Sequence, residues 1–181
     1  ADLLLTVDIG RLSSAVSEDV AQPVTSEVLT EQIPAQFRGD DNKWFALTRR
    51  ARVVYASKVR VQQDAITYGE LADPKWKGKI CIRSGQHIYN IALIASIIAH
   101  AGEEKAEAWL KGVKDNLARK PDGNDRAQAK GIFAGECDIG IGNTYYVGLM
   151  MTNEKEPEQK DWANAMKVLF PNSGDRGTHV N

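Results

Sequence analysis

Apolar residues fall in short blocks separated by clusters of Gly, Pro, Asp and Asn, the pattern of a chain that alternates strands and helices. Ala1 to Val7 is too uniformly apolar for a half-exposed strand and predicts a parallel strand covered on both faces. A short helix is expected over Ser13 to Ala21, ended by Pro23-Val24, with Gln32-Ile33-Pro34 as an extended loop. The turn cluster Gly39-Asp40-Asp41-Asn42-Lys43 lies beside Trp44–Leu47 and Arg52–Tyr55 and predicts a hairpin. Thr67 to Leu71 suggests a short helix, and Asp73-Pro74-Lys75-Trp76-Lys77-Gly78 is a turn feeding a strand, Lys79 to Arg83.

Helices and strands then follow in alternation. Helices are expected at Ile88–His100, Glu103–Lys114 and Asp125–Phe133, strands at Leu117–Pro121, Cys137–Gly142 and Val168–Pro171, and a further helix from Tyr145. This order predicts an α/β fold, a mostly parallel sheet with helices on both faces. Ligands of such sheets sit beyond the carboxyl ends of the strands. That rule picks out Ser84-Gly85-Gln86, Pro121-Asp122-Gly123-Asn124 and Asn143-Thr144-Tyr145-Tyr146.

Composition narrows the function. The 181 residues are 43% hydrophobic and 26% charged, ordinary for a globular protein, with enough chain for one compact domain plus extra segments. A net charge of −1 argues against nucleic acid or an anionic membrane surface as partner. No apolar run approaches the roughly 20 residues of a membrane span, so direct membrane insertion is not expected. Both ends read as cut from a longer chain.

Of five tyrosines, Tyr89, Tyr145 and Tyr146 fall at the same predicted end of one sheet. Clustered phenols suit a hard trivalent cation, because phenolate oxygen is a hard anionic donor and a bound cation favours its deprotonated form. Three phenolates would neutralise Fe(III). The remaining coordination positions call for a small oxyanion such as carbonate. Ser84, Gly85 and Gln86 precede a helix, whose N–H groups and dipole favour an anion. Arg50 and Arg52 are two apart on a strand and share a face, so either could grip an oxyanion bidentately. His87 reads as a polar residue at a helix start, and His100 as a packed helix residue.

Other chemistries lack their motifs: there is no His-Glu-x-x-His, no Cys-x-x-Cys, no P-loop and no nucleophile elbow. Gly140-Ile141-Gly142 lacks the third glycine of a dinucleotide fingerprint. No His, Lys or carboxylate accompanies Tyr145-Tyr146 in its loop, so the chain is not read as an enzyme. Cys81 and Cys137 fall on two predicted strands of one sheet and stand as two thiols or one disulfide, according to strand order and register.

Four segments together resemble the ferric-ion-binding proteins of bacterial ABC iron importers: Ala1–Asp8, Thr48–Val53, Leu71–Gly78 and Asn143–Tyr146. The resemblance covers nearly the whole chain, and Tyr89 at its spacing is similar to the subgroup with a third tyrosine in the same lobe. It implies a type II periplasmic-binding-protein fold, with residues 1–8 as a hinge strand. Residues 9–55 would be a partial N-lobe segment, 56–171 the C-terminal α/β lobe, and 172–181 a return toward the hinge. It implies Tyr89, Tyr145 and Tyr146 as ligands of Fe(III), Arg50 as an anion-binding arginine, export to the periplasm and an inner-membrane ABC permease as partner. Ligands from the rest of the N-terminal lobe would lie outside this chain. Rival readings are a same-fold binding protein for a small organic anion or polyamine, and a ligand-sensing effector domain of a transcription regulator.

Overall fold

The computed structural model describes residues 2–174 and 177–180. Ala1 of the expected first strand, and residues 175, 176 and 181 of the expected return segment, lie outside the described residues. The chain forms two compact units, one running to Arg49 and the other spanning Arg50–Val180.

The first unit holds two helices, α1 (Ile9–Ser17) and α2 (Glu27–Gln32), and a 3-10 turn at Ala35–Phe37. Helix α1 starts earlier than expected because Asp8 caps it, its carboxylate accepting from Gly10 N at 3.3 Å. Ser26 caps α2 in the same way, and its signal is absent from the expected pattern. The turn at Gly39–Asn42 forms, but it joins Arg38 to Phe45 by a single bridge. Trp44–Leu47 does not pair with Arg52–Tyr55, so the predicted hairpin is corrected. The predicted strand at the start is corrected too. Residues 2–7 have no regular secondary structure, and Leu3 and Leu5 are each 73% exposed. Apolar character alone does not make a strand, whose backbone N–H and C=O groups need a ladder partner.

The second unit is built on a four-stranded sheet: β1 (Arg52–Ser57), β2 (Ile80–Cys81), β3 (Ile139–Asn143) and β4 (Met166–Leu169) in the order β2-β3-β1-β4. The sheet is partly parallel: β2 and β3 run together, while β1 is antiparallel to both β3 and β4. Every residue of β1 and β3 is buried. A strand covered on both faces shows the same apolar run in either direction, so its sequence does not report its sense. The strand expected at Leu117–Pro121 reduces to one bridge between Leu117 and Ile80.

Five helices cover the two faces: α3 (Ile88–Ala101), α4 (Glu103–Asp115), α5 (Asp125–Ala134), α6 (Tyr145–Met151) and α7 (Gln159–Asn164). Alternation along β1 divides the core in two. Val54 and Ala56 pack with Ile139 and Ile141 against Leu93 of α3 and Trp109 and Val113 of α4. Val53 and Tyr55 face the other way, toward Ala129 and Ile132 of α5, Met150 of α6 and Ala163 of α7. Helix α5 shows why such segments form where they do. Asn124 accepts from Ala127 N at 3.1 Å at its start, and Gly135, at φ 79°, ends it in the left-handed conformation that a side chain would strain. Cys81 of β2 and Cys137, two residues before β3, are joined as a disulfide with Cα atoms 5.8 Å apart.

Candidate metal centre

Strand β3 ends at Asn143, and the chain turns through Thr144 directly into α6. The turn is stitched to the residue before β1: Thr144 N donates to Ala51 O at 3.0 Å, and Ala51 N to Thr144 Oγ1 at 3.4 Å. Both tyrosines of the pair therefore leave the carboxyl end of β3 together, their ring centroids 4.3 Å apart and planes 30° apart. Tyr89, from the first turn of α3 and just beyond β2, reaches the same place. Its hydroxyl lies 3.2 Å from that of Tyr145. The three phenols that strand-end position singled out are thus brought together.

Tyr89 is 9% exposed, while Tyr145 keeps 37% of its surface in solvent, so the cluster is half sheltered and still reachable. Desolvation pushes the Tyr145 phenol well above the ordinary tyrosine range, and hydrogen bonding with Tyr146 and Tyr89 pushes it further. Burial penalises the anion, and the neighbouring phenol oxygens accept the proton that the Tyr145 hydroxyl would have to lose. A bound cation reverses that balance. Among the described residues no group of three or more His, Cys, Asp or Glu is arranged to hold a metal ion.

Cationic side chains surround the cluster. The guanidinium carbons of Arg50, Arg83 and Arg52 lie 4.7, 5.2 and 5.8 Å from the centroid of the Tyr89 ring, and that of Arg126 lies 5.0 Å from the Tyr146 ring. Arg50 is half-buried and lies over the Tyr89 ring. Arg52, read from sequence as a possible oxyanion grip, is instead committed. It is 2% exposed and bonds Asp125, Asn90 and Asn143 through its terminal nitrogens. Ser84 and Gly85 lie in an exposed turn ahead of α3, where Ser84 Oγ accepts from Gln86 N at 3.2 Å. The helix begins at Ile88, and His87 caps it, its Nδ1 accepting from Tyr89 N at 3.3 Å while its ring meets Tyr89 edge-on. In that first turn Tyr89 N and Asn90 N are both taken up by His87, by its ring and by its carbonyl.

Sequence reasoning missed Asp125. It is fully buried at the start of α5, and one signal touched it: the strand-end segment Pro121–Asn124 that immediately precedes it. Gly142 was read only for a motif it fails to make, yet it has a structural job. A Cβ there would lie 2.2 Å from the Tyr55 ring, whose hydroxyl donates to the Asn143 carbonyl. Gly142→Ala is expected to destabilise by about 1–3 kcal/mol through overpacking. Tyr55→Leu in the same molecule should recover part of that loss, a coupling that thermal melts of the single and double variants would measure.

The fold and the site define a class: an α/β lobe with a cluster of phenols at a strand end. The chain belongs to the family of bacterial extracellular solute-binding proteins, whose model matches residues 1–175. Iron uptake protein A1 of Synechocystis sp. is 47% identical over 182 residues, covering 100% of this chain and 50% of that protein. The apo ferric ion-binding protein A of Pasteurella haemolytica superposes with a TM-score of 0.94 at 52% identity, over 100% of this chain and 56% of the other. The Trichodesmium protein solved in complex with iron and citrate superposes at 0.95 with 46% identity, over 100% and 57%. The chain therefore spans about half the length of the relatives it matches.

Proposed function

We propose that this chain is part of a periplasmic protein that binds ferric iron as cargo and delivers it to an inner-membrane ABC permease. Tyr89, Tyr145 and Tyr146 supply three phenolates, which match the charge of Fe(III). The observation that carries the reading is the convergence of the three phenols at one strand end, with Tyr89 and Tyr145 hydroxyls 3.2 Å apart. The names of the relatives, iron uptake and ferric ion-binding proteins, point the same way. Arg50, with the Ser84-Gly85 turn, holds a small oxyanion that completes the coordination, carbonate or a carboxylate such as the citrate of the Trichodesmium complex. The role is transport rather than catalysis. Residues 56–171 form one lobe of the binding cleft, and the remainder of the longer protein supplies the other lobe and further donors.

The test is a titration of the full-length protein with ferric iron presented as a weak chelate, with carbonate present. A visible phenolate-to-iron charge-transfer band is expected to grow in and saturate at one iron per site. An uncoloured protein, or one that instead binds a polyamine or an organic anion without iron, would overturn the reading.

A further inference from the structure

Behind the tyrosines lies a cluster of charged side chains centred on the buried Asp125. Asp125 is 0% exposed, yet it is ionically paired to Arg52 at 2.6 Å and to Arg83 at 3.1 Å. Burying three charges is expensive, and an apolar cluster of the same volume would often be as stable or more so. Its partners show what it holds. Asp125 Oδ2 also accepts from the backbone N of Asn143 at 2.8 Å, two residues before Tyr145. Arg52 donates to Asn143 Oδ1 at 3.2 Å and to Asn90 Oδ1 at 2.7 Å, and Asn90 adjoins Tyr89. Asn90 Nδ2 in turn donates to the carbonyls of Arg83 and Ser84, each at 3.1 Å. One carboxylate thus ties together β1, the exit of β2 and the end of β3, and Arg52 carries the tie on to the first turn of α3. The two segments that bring tyrosines to the site are joined to each other here. Two of the guanidiniums so fixed, Arg83 and Arg52, also lie against the Tyr89 ring.

We propose that the Asp125–Arg52–Arg83 cluster is the positioning device of the tyrosine site, setting the spacing of Tyr89 against Tyr145 and Tyr146. The effect on metal rests on the reading that these phenols bind ferric iron; the effect on spacing does not. Partners that orient metal ligands typically change affinity about 10–100-fold when lost. The fork of a guanidinium bonds in a fixed plane, whereas an ammonium is a point charge, so geometry and charge can be separated at Arg83.

The experiment uses Asp125→Asn, Arg83→Met and Arg83→Lys in the full-length protein, the Arg83 variants serving if loss of Asp125 prevents folding. Two readouts are taken: crystal structures without metal, and ferric titration followed by the position of the charge-transfer band. In Asp125→Asn and Arg83→Met the Tyr89 and Tyr145 hydroxyls should separate beyond hydrogen-bonding distance. Iron affinity should fall about 10–100-fold with a displaced band, and Arg83→Lys should restore only part of it. Spacing, affinity and band like those of the wild type in the folded variants would overturn the proposal, as would full rescue by Arg83→Lys, which would leave charge alone as the cause. A wild-type protein that takes no iron while the variants still lose the phenol spacing would overturn the iron reading and leave the positioning role standing.

Discussion

Replacing Tyr145 and Tyr146 together by Phe is expected to abolish ferric binding, while each single Tyr→Phe change at 89, 145 or 146 weakens it severely. Charge dominates the loss. Three phenolates neutralise Fe(III). With two, the bound ion keeps a positive charge that water or hydroxide must satisfy, and with one the protein barely competes with a chelator. The loss at each single site should exceed the roughly 10–100-fold cost of losing a partner that only orients a ligand, because a donor itself is gone. Phe retains the ring, so the packing around Tyr89 and the contact of the Tyr145 and Tyr146 rings survive. Loss of the Tyr89–Tyr145 hydrogen bond costs only about 0.5–1.5 kcal/mol of stability. Thermal melts should therefore move little while affinity collapses. Competition against a graded series of chelators, with the charge-transfer band as reporter, separates the variants. Equal affinity in wild type and the double variant would mean that the iron is held elsewhere.

The same site sets the sign of the pH dependence. Tyr145 is held protonated when no metal is bound, its phenol raised by burial and by its tyrosine neighbours. On the proposal that this phenol ligates ferric iron, binding must expel that proton. Acid therefore favours the iron-free protein and alkali the loaded one.

Much of this was legible in the chain. Helices α3, α4 and α5 announce themselves by their apolar patterns, and they fall within about two residues of the expected bounds. The tyrosines were legible for a different reason, their position past strand ends rather than their residue type. What escaped has physical causes. Helix α7 opens on Gln159, Lys160 and Asp161, a run that reads as solvated, although Gln159 and Ala163 are buried by tertiary packing. Asp125 looks like an ordinary acidic residue in a first helical turn, where it would complement the dipole in water. Only the fold reveals that Arg52 and Arg83, 73 and 42 residues away in sequence, close over it. Sheet direction escaped because a buried apolar strand is symmetric to inspection. The Leu3-Leu4-Leu5 run misled because a strand is defined by its neighbours, not by itself.

The second large effect concerns stability. Converting Cys81 and Cys137 to Ser is expected to cost about 4 kcal/mol, on the loop-closure estimate for a pair separated by 56 residues. The loop so closed contains α3, α4 and α5, hence both Tyr89 and Asp125. Most of the loss arises in the unfolded chain, which regains the freedom to separate those ends. A smaller part is local. Both sulfurs are almost fully buried, and a Cβ on Gly131 would meet each at 3.2 Å, so helix α5 packs closely over the bridge. The bridge also ties Cys81, the last residue of β2, to Cys137 just before β3, the end of β3 opposite Tyr145 and Tyr146. The melting temperature should fall by on the order of 10 °C. Iron affinity of the variant, measured well below its melting point, should change far less than in the tyrosine variants, because all three phenols remain and Tyr145 and Tyr146 leave the opposite end of β3. Treating the wild-type protein with a strong reductant should reproduce the shift, and the Ser variant should then be insensitive to reductant. Identical melting of reduced and oxidised wild type would show that the bridge contributes nothing to stability.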